Sequence, residues 1–250
     1  MVSRADSIVT HDEADVSLIS YMLDAARRGA TTVHILSNDT DVFVLMVYWC
    51  WKVGITCHLQ MERWDGTVLN INSTVENLSE QCRSILAMHA LSRCYTTSYP
   101  AGKGKVSVLK ATRVDLQITE TVRGFFLALY NQRKSASLNV ARYDIYRKRK
   151  TPPALKTLPP TERNAHLHGR HAHLQVLLWK AADHPDPPAV DITKFGWDKN
   201  IMPVLDASPV APPALLDIIS CSCKAGFKPC TTAKCSCRPG LYKLLLLQRL

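Results

Sequence analysis

Apolar residues recur at helical spacing at Ala14, Leu18, Met22 and Ala25, after the pattern Thr10-His11-Asp12-Glu13 and before Arg27-Arg28-Gly29. A capping box, basic residues in the last turn and a glycine beyond it predict a helix of about four turns. Two buried strands are expected next, over 32–36 and 42–47, because both runs are β-branched or apolar and Ser37-Asn38-Asp39-Thr40 forms a polar tip between them. The runs 55–61 and 67–71 flank Trp64-Asp65-Gly66 as a hairpin would. Ser73-Thr74-Val75-Glu76 then caps a predicted helix reaching about residue 91. Further helical spacing covers 106–113, 119–132 and 162–182. Helices interleaved with buried strands indicate an α/β layer.

Composition adds a partner class. The 250 residues carry 31 Lys plus Arg against 21 Asp plus Glu, a formal charge of +10. Residues 101–150 hold 12 basic and 3 acidic side chains, ending in Arg147-Lys148-Arg149-Lys150. So concentrated a basic block points to a polyanion, nucleic acid first, although a solvated face or an import signal has the same composition. The longest uncharged apolar run, 42–51, is far shorter than a membrane span, so no membrane partner is expected. Arg4, Asp6, Asp12, Glu13 and Asp15 are unlike a signal-sequence core, so the nine cysteines are expected in a reducing compartment. Eleven of fourteen prolines lie between Pro152 and Pro213, which predicts a proline-rich connector around one helix.

Four acids are placed to converge. Glu13 and Asp15 open the first helix, while Asp39 and Asp41 follow the strand beside which that helix should pack. Clustered carboxylates suit Mg²⁺ or Mn²⁺, which stabilise charge in phosphodiester cleavage. The alternative is that the first pair favours a helix N-terminus and the second makes a polar turn.

The same residues carry a resemblance. Glu13-Ala14-Asp15 and Ser37-Asn38-Asp39-Thr40-Asp41 resemble the acidic motifs of the PIN/flap-endonuclease-like nucleases found in mobile-element-derived eukaryotic proteins. The run from Leu86 through Ser98, followed by Gly102-Lys103-Gly104-Lys105, resembles the segment in which that family places a Gly-Cys-Asp triplet before a Gly-x-Gly helical hairpin. The resemblance implies a partial PIN/5′-nuclease-like sheet flanked by helices over 1–135, with its opening strand missing. A basic, then proline-rich connector over 136–217 and a small cysteine-rich module over 218–240 would follow. It also implies that Glu13, Asp15, Asp39 and Asp41 are catalytic metal ligands. Gly102, Lys103, Gly104 and Lys105, with Arg147, Lys148, Arg149 and Lys150, would meet nucleic acid. Tyr95 stands where the family has an aspartate, so any endonuclease activity is expected to be impaired.

Five cysteines, Cys221, Cys223, Cys230, Cys235 and Cys237, fall within seventeen residues among Lys224, Lys228, Lys234 and Arg238. Thiolates at this density predict Zn²⁺, with a disordered thiol-rich tail as the alternative. The segment resembles a truncated tesmin-type CXC module, a zinc-binding DNA-binding unit, which implies DNA as the nucleic acid and a nuclear or nucleocytoplasmic location. Cys50, Cys57, Cys82 and Cys94 are expected as core or surface thiols. His166, His168, His171 and His173 are expected as solvated helix residues, and Trp49, Trp51 and Trp179 as packing residues. A nucleic-acid-binding protein with a degenerate nuclease-like site is the leading expectation. A non-catalytic binding protein, or an incomplete gene product, is the alternative.

Overall fold

The computed structural model describes residues 13–94, 96, 97, 100–112, 118–148, 153–184 and 189–204. It is a mixed α/β structure in which a small three-stranded sheet is flanked by helices. Helix α1 (Ala14–Arg27) buries Val16, Ile19, Met22 and Leu23 and carries Asp15 in its first turn and Arg27 in its last, matching the helix dipole at both ends. Thr10, the expected cap, lies outside the described residues. Strand β1 (Thr32–Leu36) follows.

The next element departs from expectation. Residues 42–47 are not a strand but part of helix α2 (Thr40–Val53), which buries Val42 and every residue from Val44 to Cys50. A continuous apolar run has no period to tell strand from helix when every face is covered. The ends decide it. The Asp39 side chain accepts the Asp41 backbone N–H as an N-cap, and Gly54 closes the helix in the left-handed conformation at φ 69°. Helix α2 is therefore the crossover of a β-α-β unit: β1 pairs in parallel with β2 (His58–Glu62), from Thr32 opposite His58 to Leu36 opposite Glu62. The predicted hairpin forms, with Gly66 at φ 82° and β3 (Val68–Asn70) antiparallel to β2.

The expected helix to residue 91 is broken. Helix α3 (Ile71–Leu78), capped by Asn70, and a 3₁₀ stretch (Ser79–Ser84) precede α4 (Ile85–Ser92). The break falls at Ser79, whose φ is 49°. Beyond Gly102 and Gly104 come α5 (Lys105–Thr112) and α6 (Ile118–Leu129), which pack on each other. Helices α7 (Leu138–Lys148) and α8 (Glu162–Lys180) belong to the region read as connector, yet α8 packs against α4 and α6 within the main core. Prolines flank α8 without separating it. Its Gly169 lies so close to Val122 of α6 that any added Cβ would collide with that side chain. Trp179 is 1% exposed, and its carbonyl accepts the Trp49 indole N–H at 3.2 Å. Among the described residues no helix is long and apolar enough to cross a membrane.

Candidate acidic site

The acids gather past the carboxyl end of β1, the end at which open α/β sheets place their ligand crevice. There the Asp39 N–H donates to Ser37 Oγ at 3.0 Å, and the Asp39 Oδ1 accepts the Asp41 N–H at 2.8 Å. The Asn38 side-chain oxygen accepts the Trp64 N–H at 3.0 Å, pinning this turn to the hairpin. Helix α1 packs beside α2 and brings Asp15 to the same point. One carboxylate oxygen from each of Asp15, Asp39 and Asp41 lies within 4.8 Å of the others. The Asp15 carboxyl is pushed up to about 6, by burial first and then by the charges of Asp39, Asp41 and Glu13.

Two buried polar residues hold this cluster from distant parts of the chain. His89 of α4 is 1% exposed, and its Nε2 lies 2.6 Å from Asp41 Oδ1. The Lys105 ammonium meets His89 Nδ1 on the other side of the ring. An ammonium only donates, so Nδ1 accepts and the Nε2–H donates to Asp41. The His89 ring also stacks on Trp179 at 5.8 Å. Burial lowers the Lys105 pKa, opposed by the charge of Asp41. Gln175 of α8, also 1% exposed, donates from Nε2 to both Glu13 oxygens at 3.0 and 3.2 Å. Its Oε1 accepts the Thr96 hydroxyl at 2.9 Å, which fixes the orientation of the amide.

The structure thus brings Asp15, Asp39 and Asp41 together, sets Glu13 beside them and adds Lys105. Lys103 goes elsewhere, its ammonium lying 4.8 Å from the Tyr130 ring centroid and its N–H bonded to the Pro100 carbonyl. Gly102 supplies a left-handed turn at φ 71°. Arg147 and Lys148 are exposed at the end of α7, with Arg147 against the Tyr143 ring. Arg149, Lys150, Tyr95 and the cysteines Cys221, Cys223, Cys230, Cys235 and Cys237 lie outside the described residues.

Other expectations divide. Cys50, Cys82 and Cys94 are buried thiols and Cys57 is half-buried. Trp49 is core, though on a helix rather than at a strand end. His166 and His173 are exposed, whereas His168 and His171 are half-buried, with Nε2 bonded to the Leu91 and Gly196 carbonyls. Sequence reasoning gave no role to His89 or Gln175. The available signal was one polar residue within each apolar helix stripe, which is ambiguous until the partner helix is known. Comparison with protein families, with curated proteins and with solved structures finds no match.

Proposed function

We propose that the chain is a nucleic-acid-binding protein with a degenerate, divalent-metal-dependent nuclease-like site and a zinc-binding CXC-like tail. The convergence of Asp15, Asp39 and Asp41 carries this reading. Three hard oxygen donors, partly open to solvent and repelling one another, fit Mg²⁺ or Mn²⁺. Asp15, Asp39 and Asp41 would hold the ion, with Glu13 beside them, and a bound ion supplies charge stabilisation at a phosphodiester. The protein residues orient and balance charge. His89 fixes the Asp41 carboxylate, Gln175 fixes Glu13, and Lys105 brings an ammonium that can meet either a phosphate or the acids. Lys103, Arg147 and Lys148 supply further positive charge for a strand. Tyr95 in place of an acid accounts for impaired turnover. The cysteine density supports zinc, and the resemblance to a tesmin-type CXC module supports a DNA partner and a nuclear or nucleocytoplasmic location.

One observation favours a second reading, a non-catalytic nucleic-acid-binding protein: Asp41 already has a hydrogen bond from His89, and the Lys105 ammonium behind that ring already offsets its charge. Incubation of the full chain with single-stranded and flap DNA, with and without Mn²⁺, separates the two. Cleavage that needs Mn²⁺ and stops on chelation supports the nuclease reading. Salt-sensitive binding without cleavage supports the second, and no binding at all defeats both.

A further inference from the structure

Away from the acids, a cavity of about 460 Å³ opens between α6, α8 and the segment around Leu158 and Pro159. Its walls include Phe126, Tyr130, Leu158 and Leu167, and no acidic side chain lines it among the described residues. One wall holds Arg142 of α7, only 7% exposed. A guanidinium carries five N–H donors. Here one of them reaches the Pro159 carbonyl, and among the described residues no carboxylate pairs with the charge. Burial accordingly pushes the Arg142 pKa down.

A cation taken out of water without a counter-charge is among the least favourable arrangements in a protein interior. An anion entering the cavity would supply that charge and a second pair of hydrogen bonds in the guanidinium plane. The walls then select the rest of the ligand. Apolar side chains make up most of them, the polar Thr161 and Asn164 and an exposed Lys156 also line the space, and the rings of His168 and His171 already use Nε2 on backbone carbonyls. Such a lining suits a singly charged group on an apolar body better than a phosphate, whose oxygens need several donors each.

We propose that this cavity is a binding site for a small organic carboxylate with an apolar body, its carboxylate held by Arg142. The proposal is independent of the nucleic-acid reading. It adds a small-molecule site on the opposite charge logic.

Calorimetric titration of the full chain with benzoate, benzyl alcohol and inorganic phosphate tests it. A ligand of benzoate's size should bind with Kd of about 1 mM. Benzyl alcohol, which keeps the ring and loses the charge, should bind at least roughly tenfold more weakly, as should phosphate. Arg142→Met should weaken benzoate at least roughly tenfold. Without ligand its melting temperature should equal or exceed that of the wild type, because a methionine in that space replaces an unpaired charge. Equal binding of benzoate and benzyl alcohol, tighter binding of phosphate, undetectable benzoate binding, or full benzoate affinity in Arg142→Met would each overturn the assignment. The comparison of ligands needs only wild-type protein, so it decides the matter even if Arg142→Met does not fold.

Discussion

The acidic crevice and the Arg142 cavity solve the same problem in opposite ways. In the crevice, like charges stand together, but partly in water and beside compensating donors: His89 on Asp41, Gln175 on Glu13, Lys105 within reach. In the cavity one charge of opposite sign, Arg142, is buried against largely apolar walls with a backbone carbonyl for company, while Lys156 stands exposed at the lining. Repulsion among partly solvated groups is cheaper and can be relieved by a passing cation. A buried unpaired charge is costly and calls for a specific partner. Two sites of different selectivity follow from where the charges sit rather than from how many there are.

The comparison is broken most severely at the centre of the crevice. Asp39→Ala removes both a cluster oxygen and the N-cap of α2, and should lower Mn²⁺ affinity roughly a hundredfold, read by calorimetry. Affinity within a factor of two of wild type would show that the acids do not act as one site. Next comes the buried support. His89→Leu leaves Asp41 and Lys105 without their shared partner and should cost about 2 kcal/mol in urea unfolding. A neutral result would mean that solvent replaces the ring at no cost.

A smaller effect is expected at Gln175. Gln175→Met keeps the shape and deletes the amide, and should weaken Mn²⁺ binding roughly tenfold. In a Glu13→Gln background the same change should add little, and multiplicative losses would show that the two side chains act separately. The smallest effect concerns the charge cluster itself. The Asp15 carboxyl lies near 6 rather than its usual 3.8, so the folded state binds a proton more readily than the unfolded chain. Stability therefore falls as pH rises from 3.8 to 6, and the whole penalty is present at pH 7. Asp15→Asn should remove it, raising stability at pH 7 by about 1 kcal/mol for this half-exposed group, with the gain fading as pH drops through 6 towards 4. A gain that stays constant across that range would assign the effect to something other than the buried, repelled charge of Asp15.

Much of the amino-terminal layout was legible because its signals are local. The first helix, β1, the hairpin around Gly66 and α8 fall where periodicity and turn residues put them. The meeting of Asp15 with Asp39 and Asp41 was legible too, since it needs only a helix lying beside the strand that precedes the second pair. Helix α2 was not, because ten apolar residues in a row carry no period, and the Asp39 cap and the Gly54 stop outweigh the β-branched side chains between them. The break at Ser79 was hidden for a similar reason: a left-handed serine leaves no mark in a hydrophobic pattern. Gln175 and His89 were illegible on other grounds. Each is a polar residue on the buried face of its helix, and its partner lies 162 or 48 positions away.

That separation governs when the crevice can exist during synthesis. Its acids leave the ribosome early, within residues 13–41, but the amide that steadies Glu13 arrives with Gln175. The Ser20 hydroxyl closes onto the Ala182 carbonyl at 2.7 Å over the same span. A nascent chain halted before residue 175 therefore carries every carboxylate and neither clasp. Loop closure over some 160 residues makes docking of α8 a late event, and the face of α4 on which it packs must wait for it uncovered.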